Sequence, residues 1–288
     1  MSIPNISAPL GSFVFEIGNG QTIYSQSFVP VNSLNSVLIN KGIKLSGAFP
    51  FYASLRVKAT NQAECLTSKG AAALGTEFRY GGFPQFSNSA TDRNFTAGIM
   101  ATEDNTTITI DGYDAGVVFE GTPTISASSI EFSLDEGECY VIAGNNNIIA
   151  NQNGFMGAHI VSNKPIVLNN GNLLGSIHPS ETTRDMGIDQ SVPVERIGNK
   201  YIVLQGGGIP EMERPIIIAH YDSTDVFING EPTVITTLDA GDYYLVPNSY
   251  YVGINHKNMY IETTKDVYLY QALSGGSSTT TGGLNFIP

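Results

Sequence analysis

Three observations predict an all-β chain, a tandem of related antiparallel β-sandwich-like modules. Residues 42–51, 157–166 and 258–267 are ungapped copies of one segment. The stretches between them alternate apolar and polar residues with the period of a half-buried strand. Gly, Asn and Asp punctuate those stretches at short intervals, and no long amphipathic helical pattern interrupts them. Repetition on this scale signals stacked copies of one supersecondary unit. A β-propeller-like closed repeat, with residues 284–287 completing the first sheet, is the alternative architecture.

Residues 1–73 read as a diverged first β repeat. Its strands are expected at Phe13-Val-Phe-Glu-Ile17, Gln26-Ser-Phe-Val29-Pro30 and Ser36-Val-Leu-Ile39. Its copy of the shared segment is expected to be an alternating strand, a short polar turn and a second apolar strand. An extra piece running from Leu55 to Leu66 leads into the next repeat, and the short run Ala71-Ala-Ala-Leu74 marks the entry turn.

Residues 74–196 form the second β repeat, with a long loop at 171–193. Thr106 to Ile110 alternates Thr with Ile, as a strand with one buried face does. Asp111-Gly112 is a turn dipeptide able to supply the positive φ of a tight hairpin. Asp135-Glu136-Gly137 punctuates the approach to the next strand. Pro165 is expected to open a strand, where its missing N–H does least harm.

Residues 197–274 form the third β repeat and follow the second block by block. Residues 197–203 align with 74–80, 219–230 with 101–112, and 238–246 with 134–142, all without gaps. Asn229-Gly230 and Asp239-Ala240-Gly241 repeat the turn chemistry of the second copy. Residues 275–288 read as a flexible Gly/Ser/Thr link followed by a closing strand or a stub.

Composition narrows the function classes. The apolar fraction of 41% and plentiful aromatics exclude a disordered chain. The formal charge of −12, without a Lys/Arg cluster, excludes a nucleic-acid footprint. It also discourages contact with anionic membranes, and no apolar run is long enough for membrane insertion. Met1-Ser-Ile-Pro lacks a signal-peptide pattern. The expectation is either a signal already removed or synthesis in the cytoplasm followed by assembly into a particle. Cys65 and Cys139 are expected to be small buried residues more readily than a disulfide.

Chemistry-bearing motifs are sparse. No metal spacing, nucleophile elbow, phosphate loop or dinucleotide fingerprint is present, so no catalytic residue, metal or cofactor is assigned. His159 and His220 read as surface or packing residues. Glu103-Asp104-Asn105 and Asp222-Ser223 are oxygen-rich turns that could suit calcium, and are more simply read as Asx turns capping a strand. Candidate ligand-binding residues lie in two places. One is the long loop, where His178, Asp185, Asp189 and Gln190 concentrate amide, acid and imidazole. The other reading of that cluster is a buried polar network pinning the loop. The second place is Tyr250 and Tyr251, whose rings could stack on sugars or pack at an edge strand.

A resemblance extends this reading. Lys41-Gly-Ile-Lys-Leu-Ser, Ala73-Leu-Gly-Thr-Glu-Phe78, Ala101-Thr-Glu-Asp-Asn-Thr-Thr-Ile-Thr-Ile110, Gly137-Glu-Cys-Tyr140, Lys164-Pro-Ile-Val167 and Asp185-Met-Gly-Ile-Asp-Gln-Ser-Val-Pro193 occur in this order. The series resembles the N-terminal domain family of the mucus IgG-Fc-binding protein, similar domains of which occur in bacterial surface proteins. It covers about residues 10–288. The resemblance implies a non-catalytic, extracellular or cell-surface adhesion module that binds glycan or protein ligands. A structural virion component, such as a capsid decoration, head fibre or tail subunit, is the alternative and would form a homo-oligomer. A glycan-active hydrolase is a distant third.

Overall fold

The computed structural model describes residues 29–39, 41–59, 62–84, 94–145, 147–175, 177, 185–273 and 282–288. The expected strand at 13–17 and most of that at 26–30 lie outside this set, as does His178. The described chain is all-β. Its seventeen strands are β1 (Val37–Leu38), β2 (Ser54–Ala59), β3 (Gln62–Thr67), β4 (Gly75–Arg79), β5 (Asn94–Ala101), β6 (Thr106–Asp111), β7 (Ile130–Leu134), β8 (Cys139–Asn145), β9 (His159–Gly175), β10 (Asp185–Gln190), β11 (Gly198–Leu204), β12 (Pro215–Ala219), β13 (Thr224–Ile228), β14 (Thr236–Leu238), β15 (Tyr243–Leu245), β16 (Asn258–Leu273) and β17 (Gly283–Ile287). One helical turn, α1 (Ala150–Asn153), and a few 3-10 turns accompany them.

Two antiparallel sheets carry the second and third repeats. The first runs β1-β8-β5-β9-β6-β7, with β4 and β10 also on β9. The second runs β14-β13-β16-β12-β15, with β11 and β17 also on β16. Each sheet is organised by one long strand that changes partners midway. The first half of β9 pairs with β4 and β6, and its second half pairs with β5 and β10. In the other sheet β16 does the same with β11 and β13, then with β12 and β17.

The registers repeat residue for residue. Ala101 faces Ile166 as Ala219 faces Val267, and Ile108 faces Ser162 as Val226 faces Thr263. Turn hydrogen bonds repeat as well. Asn105 and Ser223 both adopt positive φ, and their N–H groups donate to Asp135 and Asp239. The Asp104 and Asp222 carboxylates accept from Glu136 N and Ala240 N, so these acids pin turns.

Several local expectations differ from what forms. Residues 162–165 do not separate two strands, because Pro165 sits within β9 at the change of partners. Its missing N–H costs no ladder bond there, while its carbonyl accepts from Thr102. Asp111-Gly112 does not close a tight hairpin. It opens the connection 112–129 before β7. In the first repeat, residues 41–53 carry no strand. The closing strand β17 joins the third repeat's sheet rather than the first.

Burial explains the most apolar run in the sequence. Every residue of β12 is buried. Ile216 and Ile218 face the core shared with the second repeat, while Ile217 and Ala219 face the third repeat's own core. A strand covered on both faces reads as continuous hydrophobics instead of alternation. The same division holds in β16. Tyr268 and Tyr270 enter the shared core, which also holds Phe78, Tyr80 and Phe286, and Val267 and Leu269 enter the other. The two repeats therefore share one core in a face-to-face, sandwich-like arrangement.

Candidate recognition surfaces and the seams beside them

Strand β10 brings Asp185, Asp189 and Gln190 together with the β2–β3 hairpin and β17. The Asp185 carboxylate accepts from Ala63 N at 3.2 Å, Met186 N at 2.9 Å and Gly282 N at 3.1 Å. Asp189 accepts from Lys69 Nζ at 2.8 and 3.0 Å, Phe286 N at 2.9 Å and Gln190 N at 2.8 Å. Gln190 Oε1 accepts from Lys69 N at 2.6 Å and Ser68 Oγ at 3.3 Å. These groups bond to backbone from two segments distant in sequence, 63–69 and 282–286, which is the geometry of a clamp.

Glu64 on β3 joins the clamp and was not singled out from sequence. Its carboxylate accepts from Cys65 N and Ile188 N. Burial pushes its pKa up to about 8, and the nearby Asp185 and Asp189 carboxylates push the same way. Its only sequence signal was an acid in an otherwise uncharged strand centre. Beside it Cys65 is exposed, a departure from the buried pair expected, because the two-stranded hairpin is covered on one side only. Cys139 is buried, and burial raises its thiol to about 11. Both thiols are free.

A second polar cluster lies on the seam between the second and third repeats. Arg79 Nε donates to His220 Nδ1 at 3.3 Å, and its Nη1 donates to Gly157 O at 3.1 Å. Glu77 Oε1 lies 2.7 Å from His159 Nε2 and 3.6 Å from His220 Nε2, and Asp111 lies 3.5 Å from His159 Nδ1. Burial, then the Arg79 charge, lowers the His220 pKa. With Nδ1 accepting from Arg79, the ring is held neutral. Sequence placed these two histidines apart. Only the packing of β12 against β4 and β9 brings them together.

Tyr250 and Tyr251 occupy different environments. Tyr251 is 8% exposed, and its hydroxyl accepts from Gln271 Nε2. Tyr250 is partly exposed and packs at the rim of the third repeat's core.

The most exposed aromatics lie elsewhere. Phe49, Phe51 and Tyr52 are 82%, 53% and 100% exposed on the segment leading into β2. Gly47 lets the Phe51 ring fold over the backbone, since a Cβ there would stand 3.0 Å from that ring. The third repeat also presents an apolar outer face. Ile202 and Leu204 project from β11 and are 69% and 64% exposed. Cross-strand pairing places Tyr260 and Asn258 beside them, and Asn258 bridges to the exposed Val252. Among the described residues no helix is long and apolar enough to cross a membrane.

Comparison with known proteins adds one match. A family model described as IgGFc binding protein matches residues 64–288. No curated protein and no solved structure matches the chain.

Proposed function

The chain belongs to the IgGFc binding protein family, and on that premise we propose that it is a non-catalytic recognition module. It works on an outer surface and binds a protein or glycan ligand through Phe49, Phe51 and Tyr52. The observation that carries this reading is the exposure of three aromatic rings within four residues. Such rings held in water forgo roughly 1.5–3 kcal/mol each relative to burial. Aromatic anchors are also the side chains that concentrate binding energy at interfaces. The clamp and the seam support the reading from the other side. Their carboxylates and imidazoles hold repeats together, so the scaffold that presents the rings is stiff.

The test is biolayer interferometry of the full chain against two immobilised probes, a purified mucin glycoprotein and an immunoglobulin Fc fragment. Binding to one of them, weakened at least about tenfold in the Phe49→Ala, Phe51→Ala, Tyr52→Ala triple variant, supports the proposal. Binding to neither, or equal binding by the triple variant, overturns it. The three rings are exposed, so the variant should melt with the parent.

A further inference from the structure

One imidazole on the seam between the second and third repeats is held in a form that acid would reverse. His220, at 9% side-chain exposure, accepts the Arg79 Nε–H at its Nδ1 over 3.3 Å. A guanidinium nitrogen has no lone pair to offer, so this bond exists only while Nδ1 carries no proton. The same guanidinium is anchored at its other end, where Nη1 donates to Gly157 O at 3.1 Å. Gly157 is the residue whose backbone approaches the third repeat closely, since a Cβ on it would stand 1.8 Å from Gly241 O. On the other side of that contact, a Cβ on Gly241 would stand 3.4 Å from Arg79 Nη1. Arg79 therefore ties the His220 ring to the line where the two repeats touch.

The groups around the ring decide what a second proton would do. Strand β4 brings Arg79 and Glu77, and β9 brings His159. Asp111 of β6 faces His159 and Arg79, and Tyr268 of β16 and Asp222 also face Arg79. Tyr221 meets the ring edge-on at 4.6 Å. The carboxylate placed to offset a new charge is Glu77. Its Oε1 lies 3.6 Å from His220 Nε2, beyond hydrogen-bond reach, and is engaged at 2.7 Å by His159 Nε2. The Glu77 side chain is also 41% exposed, so water screens it. Arg79 is 8% exposed and stands on the very nitrogen that would take the proton. Imidazolium and guanidinium would then meet donor to donor where little water separates them, and like charges repel strongly there. The burial and the Arg79 charge that lower the His220 pKa express the same conflict. Below about pH 6.5 an imidazole in the unfolded chain takes up a proton, while the buried ring does not. The contribution of this contact is therefore whole at neutral pH and falls as the pH drops below that value.

We propose that His220 and Arg79 form an acid-sensitive latch, which holds the edge of the seam closed at neutral pH and releases it locally in mild acid. Protonation at Nδ1 turns the guanidinium away from the ring, and its hold on Gly157 O beside Gly241 goes with it. The apolar core shared by the two repeats stays in place, because no group within it titrates in this range. The latch leaves Phe49, Phe51 and Tyr52 out and so is independent of the recognition surface proposed above.

The experiment is amide hydrogen exchange of the full chain, read by nuclear magnetic resonance near pH 5 and pH 7.5 and corrected for the intrinsic pH dependence of exchange. The reporters are the hydrogen-bonded amides of Tyr80, Gly157, Ala219 and Gly241 beside the latch, with Val252 and Asn258 as distant controls. The reporters should exchange at least about tenfold faster in acid while the controls do not change. His220→Asn keeps a carbonyl oxygen near the Nδ1 position and has no proton to gain, so it should abolish the difference. Equal protection of the reporters at both pH values overturns the proposal, as does a variant that keeps the parent's pH dependence. The imidazole resonances of the parent give a reading that needs no variant. His220 should titrate below about 6.5, and a midpoint at or above that value overturns the latch.

Discussion

Replacing Gly157 with Ala tests the seam between the second and third repeats most directly. Gly157 has φ +74°, a region that costs an L side chain about 1–2 kcal/mol. The new methyl would stand 1.8 Å from Gly241 O and 2.6 Å from Gly241 C, both backbone atoms that cannot rotate away. Restoring ordinary contact needs a local opening of about 1.5 Å, and overpacking of this kind costs about 1–3 kcal/mol. The expected total is about 2–5 kcal/mol. Gly230 supplies the control, with φ +75° and nothing within 4 Å of its added Cβ. Gly230→Ala should lose only the conformational part, about 1–2 kcal/mol. Equilibrium urea unfolding followed by far-ultraviolet circular dichroism measures both. If the two substitutions cost the same to within about 0.5 kcal/mol, the seam does not close as described and the reasoning fails.

Two further outcomes concern the clamp. The folded chain holds a proton on Glu64 up to about pH 8, whereas the unfolded chain releases it near 4.5. The folded state therefore binds more protons between those values, and this group's stability contribution falls as pH rises through that window. Glu64→Gln should match the parent at pH 4 and exceed it by about 2–4 kcal/mol at pH 9, allowing for partial solvent access. A urea midpoint difference that does not change with pH would refute the assignment. Lys69→Met should cost about 3–5 kcal/mol, because it strands the Asp189 carboxylate at 7% side-chain exposure. In a cycle with Asp189→Asn the double variant should lose clearly less than the two single losses combined, and strict additivity would show that the pair does not couple.

The clamp shows how much of the site could be read in advance. Asp185, Asp189 and Gln190 stood out because acids and an amide cluster in one short stretch, a local signal. That Lys69, Ala63 and Phe286 would meet them could not be read, since those partners lie about a hundred residues away on either side. Glu64 escaped notice for the same reason. An isolated acid acquires an unusual pKa only when folding places other carboxylates and an apolar cover around it. The exposed rings at 49–52 looked like strand residues, because apolar alternation does not say whether a partner strand will be there to pair with them.

Strand character, the turn glycines and the repeated order of blocks belong to the sequence alone. They rest on the two-residue period of the pleat and on backbone conformations that glycine and asparagine adopt at low cost, both local properties. Which strands pair, and which faces end up covered, was decided by tertiary structure. Positions 79 and 202 are equivalent in the repeat, yet Arg79 is buried against His220 while Ile202 projects outward. The period assigns both to the same side of their strand. Only the neighbour that packs there determines whether that side is core or surface.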